Sequence, residues 1–85
     1  MGWENSVRIV DEDGEPVIGY KVSIVFGLWH GHDSEYTDDD GWATFSYDNI
    51  DKDSMKVKYL TFESETLEKD IYIENGDTRS YVDPR

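Results

Sequence analysis

Cysteine is absent from this 85-residue chain, and basic side chains are scarce: 8 Lys and Arg stand against 20 Asp and Glu, a formal net charge of −12. Without Cys, neither a disulfide framework nor a thiolate-ligated zinc or iron–sulfur site can support so small a domain. That absence suits reducing and oxidising compartments alike, so it assigns neither. The shortage of basic residues argues against direct nucleic-acid binding and against membrane contact, both of which need basic patches. Long apolar runs are missing too, and no stretch approaches the length of a bilayer span. The opening Met1-Gly2-Trp3-Glu4-Asn5 holds neither a basic nor an apolar region. No secretory signal is therefore expected, and the chain reads as soluble, cytoplasmic if complete.

What is present is a folded pattern. Hydrophobic residues make up only 36 %, but 14 % of the chain is aromatic, which a disordered acidic tail would not carry. The length allows one domain, spanning 1–85. Period-two alternation dominates, and no run has helical spacing. Val7 and Ile9 alternate with Ser6 and Arg8 in a first short strand. From Tyr20 to Leu28, the residues Val22, Ile24, Phe26 and Leu28 share one face and Lys21 and Ser23 the other. Shorter strands are expected over Ser34–Thr37 and over Trp42–Tyr47, where Ala43, Phe45 and Tyr47 share a face. Between Met55 and Glu63 the apolar set is Met55, Val57 and Tyr59 at first, then Leu60 and Phe62 on the opposite face. That switch predicts a bulge. Leu67, Ile71 and Ile73 line a further strand. Asn75-Gly76 favours a type I′ turn, so Thr78–Val82 is expected to fold back as the last strand. Seven short strands with turns at this spacing predict a sandwich.

Two segments carry a family resemblance. Val10-Asp11-Glu12-Asp13-Gly14-Glu15-Pro16-Val17-Ile18-Gly19-Tyr20-Lys21-Val22 resembles the opening of the carboxypeptidase regulatory-like and Cna protein B-type modules. Thr37-Asp38-Asp39-Asp40-Gly41-Trp42-Ala43-Thr44-Phe45 resembles their second turn-to-strand signature. The resemblance covers roughly the first half of the chain and implies a fold: all-β, a seven-stranded Greek-key β-sandwich, transthyretin-like/immunoglobulin-like. Tyr20 replaces a usually small residue, and a later Gly-x-Tyr segment is missing. Hydroxyisourate hydrolases on a related fold end in Tyr-Arg-Gly-Ser, whereas this chain ends Tyr81-Val82-Asp83-Pro84-Arg85. Self-formed isopeptides need a Lys in the first strand and an Asn in the last, and neither is in place.

Few constellations suit chemistry. His30 and His32 are the only histidines, and on an extended segment their spacing puts both rings on one face. With Asp33 or Glu35 as a third ligand they would hold a divalent metal such as Zn²⁺, more weakly below about pH 6.5 as the imidazoles protonate. The plainer reading is a solvated polar loop. Asp38, Asp39 and Asp40 before Gly41 resemble part of a calcium loop, but the distant bidentate Glu is missing and turn chemistry explains them. No nucleophile elbow, P-loop or zinc-protease motif occurs, and no enzyme is expected. Trp42 is the expected core tryptophan, and an exposed Trp29 would be a recognition anchor.

Up to Ile50 only Arg8 and Lys21 offset the acids, while Lys52, Lys56, Lys58, Lys69 and Arg79 come later. The acidic turns of the first half should therefore steer the domain to a partner protein, a basic one in particular, with Trp29 and Asp38–Asp40 as the contact residues. The leading expectation is a non-enzymatic module for protein binding or domain spacing. One alternative is a stand-alone acidic inhibitor that blocks a basic nucleic-acid-binding site, and another is a metal-binding accessory domain. Unpaired edge strands leave homodimerisation open.

Overall fold

A computed structural model describes residues 2–27 and 31–85. Among them run seven strands and no helix: β1 (Trp3–Val10), β2 (Lys21–Phe26), β3 (His32–Tyr36), β4 (Trp42–Tyr47), β5 (Ser54–Phe62), β6 (Glu65–Glu74) and β7 (Asp77–Val82). No helix is long and apolar enough to cross a membrane among these residues. The strands form a three-stranded sheet ordered β4-β1-β7 and a four-stranded sheet ordered β3-β2-β5-β6. β1 is antiparallel to β4 and parallel to β7, and every pairing in the larger sheet is antiparallel.

Alternate residues of each strand point into the gap between the sheets. Val7, Ile9 and Phe45 from the smaller sheet meet Val22, Ile24 and Phe62 from the larger, all fully buried in one cluster. The core tryptophan is Trp3, not Trp42. Trp3 is fully buried, stacks on Tyr47 and meets Phe26 edge-on at 5.8 Å. Its indole N–H donates to the Ile73 carbonyl at 3.2 Å, which satisfies the one polar atom of the ring and ties the two sheets together. Trp42 opens β4, an edge strand, opposite Arg8 and is only half-buried. The first strand starts at Trp3 because this ring, and not the polar residues around it, decides where burial begins. Asn5 is also fully buried, and its amide donates to the Asp77 carbonyl at 3.1 Å, fixing β7 against β1.

The bulge expected in β5 is present. Val25 faces Tyr59 and Phe26 faces Val57, so β5 carries one extra residue, Lys58, at that step. Met55 and Val57 point inward before the bulge, and Leu60 and Phe62 point inward after it. The extra residue turns Tyr59 out, 39 % exposed, against the expectation that it joins Met55 and Val57.

Asn75-Gly76 does not make a hairpin. It joins β6 of one sheet to β7 of the other, and Asn75 does not adopt the positive φ that a type I′ turn needs. The reason lies in long-range bonds. Asn75 Oδ1 accepts from the Glu4 amide, Asn75 Nδ2 donates to the Gly2 carbonyl, and the Gly76 amide donates to the Glu4 carbonyl. These pull the turn across to β1. The tight hairpin instead joins β5 to β6 through Glu63 and Ser64, with Glu63 at φ 52°. Both open sides of the sandwich are closed by a tyrosine on a carboxylate. The Tyr47 hydroxyl donates to Asp33 at 2.8 Å on one side, and the Tyr81 hydroxyl donates to Glu68 at 3.2 Å on the other.

Candidate functional site

The two acidic turns share one construction and one end of the molecule. In each, an Asp-x-Asp-Gly run places Gly at positive φ, 83° at Gly14 and 84° at Gly41. The first Asp of each run caps its own turn: Asp11 Oδ1 accepts from the amides of Asp13 and Glu15, and Asp38 Oδ1 from those of Asp40 and Trp42. The Trp42 and Asp40 amides hold the Asp38 carboxyl below the usual carboxylate range. Ile9 joins the turns, because its amide donates to the Gly41 carbonyl and its carbonyl accepts from the Val17 amide, each at 2.9 Å. Turn chemistry therefore accounts for Asp11 and Asp38. It leaves Glu12, Asp13, Glu15, Asp39 and Asp40 with exposed carboxylates that bond to no other described side chain. Arg8, beside Asp40, donates to the Asp40 carbonyl rather than to a carboxylate.

The metal expectation is only partly within view. Trp29 and His30 lie outside the described residues. His32 is exposed on β3, whereas Asp33, next to it on an extended strand, is half-buried and faces the other way. Asp33 Oδ1 accepts from the Ser34 amide and Asp33 Oδ2 from the Tyr47 hydroxyl. The strand thus separates His32 from Asp33. No three His, Asp or Glu side chains come together with metal-binding geometry among the described residues.

A second surface was not foreseen. On the outer face of the four-stranded sheet, Tyr36 stands directly across from Lys21, Tyr59 from Lys69, and Tyr72 from Lys56. The three rings are 65 %, 39 % and 65 % exposed. Lys58 adds a fourth ammonium, 5.8 Å from the centre of the Tyr59 ring. None of these four lysines enters an ion pair, since the pairs among the described residues all belong to Arg79 and Arg85. Between the first and second Tyr–Lys pairs a line of small hydroxyl residues crosses all four strands, Ser34, Ser23, Thr61 and Thr66, with the two serine hydroxyls 2.8 Å apart. A shallow depression beside the second pair is lined by Tyr59, Thr66, Leu67, Glu68 and Lys69.

A cross-strand Tyr–Lys pair stabilises a sheet modestly by itself. Three on one face also make a surface of exposed rings and unpaired positive charge. The chain matches no protein family, no curated protein and no solved structure.

Proposed function

We propose that this chain is a non-enzymatic, transthyretin-like Greek-key β-sandwich module that binds another protein through the outer face of its four-stranded sheet. The strand order supports the fold. The chain changes sheet between β1 and β2, β3 and β4, β4 and β5, and β6 and β7, the interleaved path of a Greek-key sandwich. In the immunoglobulin constant arrangement the first, second, fourth and fifth strands share a sheet. Here the first strand shares its sheet with the fourth and seventh, which favours the transthyretin-like form.

The observation that carries the function is the set of three Tyr–Lys pairs. Tyrosine is enriched in protein interfaces because a rigid ring covers much area at little entropic cost. A spacer domain has no use for three exposed rings on one face. The unpaired lysines make the complementary surface an acidic one. The test is an NMR titration of the chain with a Glu- and Asp-rich peptide. Amide shifts should change along β2, β5 and β6 and vanish in the triple variant Lys21→Ser, Lys56→Ser, Lys69→Ser. Shift changes scattered elsewhere, or unaltered in that variant, would sink the reading.

The acidic end favours a second reading, an acidic protein that occupies a basic nucleic-acid-binding site. Binding to a Lys-rich peptide that depends on Asp39 and Asp40 and collapses with added salt would support it.

A further inference from the structure

We infer that the partner of the Tyr–Lys face is a second copy of this chain, which presents its acidic end. The inference rests on the outer face being a protein-binding surface and names what binds there. Charge complementarity is the first argument. Among the described residues, the face carries Lys21, Lys56, Lys58 and Lys69 with no carboxylate paired to any of them, and the end carries Glu12, Asp13, Glu15, Asp39 and Asp40 with no cation paired to any of them. The exposed acids nearest the face are Glu63 at a turn, Asp70 opposite the bulge and Glu74 at its far end. Glu63 is already engaged, accepting from the Lys21 amide at 2.7 Å.

Shape is the second argument. The molecule measures 36 × 22 × 16 Å, so the tip of the sandwich presents a cross-section on the order of its two shorter dimensions. Four strands span roughly 14 Å between outer backbones, and their length adds roughly 20–30 Å in the other direction. The tip fits on the face. The line of Ser34, Ser23, Thr61 and Thr66 lies between bulkier residues, Tyr36 and Lys21 on one side and Tyr59 and Lys69 on the other. A strip of hydroxyl groups with Lys21 on one side and Lys69 on the other is a setting for carboxylates brought in on a protruding turn.

Connectivity is the third argument. The acidic turns sit at the ends of strands, whereas the face runs along them, so one molecule cannot fold its own end onto its own face. Two different patches that fit each other on identical chains make a heterologous contact, which leaves a free face and a free end at every addition. The assembly therefore grows past a dimer, into an open row or, where the rotation between neighbours closes, a ring. With a net charge of −12 per copy, whole-molecule repulsion acts over about 30 Å at about 0.01 M salt but over only about 10 Å at about 0.1 M. Association should be strongest at intermediate ionic strength, where long-range repulsion is screened and the contact is not.

The experiment is sedimentation velocity of the full chain over a concentration series, with two variants. The face variant is Lys21→Ser, Lys56→Ser, Lys69→Ser, and the end variant is Glu12→Gln, Asp39→Asn, Asp40→Asn; all six side chains are exposed. The unaltered chain should sediment faster with concentration, past the dimer, and each variant alone should remain a monomer. An equimolar mixture should stop at a heterodimer, because one variant keeps a working end and the other a working face. A mixture that stays monomeric, or variants that still associate alone, would overturn the inference. If the unaltered chain is monomeric while the acidic peptide still maps to the face, the second copy is overturned and the protein-binding reading stands. If neither occurs, both fall.

Discussion

Gly14 and Gly41 occupy the same place in two turns of the same construction, with φ values of 83° and 84°, yet they should respond very differently to a methyl group. An Ala at either position accepts a left-handed backbone, at a cost of roughly 1–2 kcal/mol. A Cβ on Gly14 meets nothing within 4 Å. On Gly41 it would lie 2.6 Å from the Ile9 carbonyl oxygen and 3.1 Å from Pro16 Cβ. That oxygen cannot move freely, because it accepts the Val17 amide that holds the first acidic turn in place. The overlap should add a further cost of roughly 1–3 kcal/mol, typical of overpacking. Gly14→Ala should thus lose about 1–2 kcal/mol and Gly41→Ala about 2–5 kcal/mol, a large share of the stability of a domain this size. Urea titrations followed by fluorescence would measure both, provided that the slope against denaturant is unchanged. Equal losses for the two variants would refute the claim that Ile9 and Pro16 lock the turns together.

Three other substitutions probe the frame around the surfaces. Tyr47→Phe removes the 2.8 Å bond to Asp33 and should cost about 1 kcal/mol in a urea titration, since the site is only half-buried. Burial first, then Asp33, pushes the Tyr47 ionisation well above the tyrosine range. The neutral ring is the form the fold favours, so this contribution is complete below about pH 10 and declines as pH rises beyond it. Tyr47→Phe should flatten that alkaline decline in part, while Tyr81, also raised mainly by burial, keeps the rest. Asp38 has the opposite sign. Its carboxyl is held down by the Trp42 and Asp40 amides, so its contribution is present above about pH 4 and lost as pH falls through the lowered value. Asp38→Asn should make stability less sensitive to acid, and a carboxyl NMR titration of the unaltered chain should find Asp38 titrating below the usual carboxylate range. Trp3→Phe leaves the Ile73 carbonyl without its indole donor and shrinks the largest core side chain, for a loss of about 2–3 kcal/mol. Thermal unfolding would read it.

Alternation located the strands that have one buried face, and Val22, Ile24 and Phe26 of β2 or Ala43 and Phe45 of β4 sit where a period of two puts them. Which sheet each strand joins was not legible in the same way. Asn75-Gly76 was the hairpin signal in the sequence, and it instead carries the chain from one sheet to the other, as Asp40-Gly41 also does. A Gly at positive φ permits a reversal of direction but does not choose the partner. Asn75 finds its partners 71 and 73 residues away, on Glu4 and Gly2. The hairpin between β5 and β6 has no Gly at all, and Glu63 takes the left-handed conformation because pairing on both sides imposes it.

The Tyr–Lys face was hidden by the same gap between local pattern and long-range register. Net charge described the whole molecule and gave no warning that Lys21, Lys56, Lys58 and Lys69, four of the five lysines, would share one side of one sheet. Nor do the Tyr–Lys pairs follow from counting out of the hairpin. Phe62 faces Glu65 and Thr61 faces Thr66, so an unbroken register would set Tyr59 against Glu68 and Lys56 against Ile71. One extra residue in β6, Leu67, shifts the ladder by a step between Leu60 and Thr61. Tyr59 then meets Lys69, and Lys56 meets Tyr72. The bulge at Lys58 turns Tyr59 outward, and the shift at Leu67 supplies its lysine. Two single-residue irregularities, the first legible as a switch of apolar face and the second not, convert an ordinary solvent face into a row of matched rings and ammonium groups.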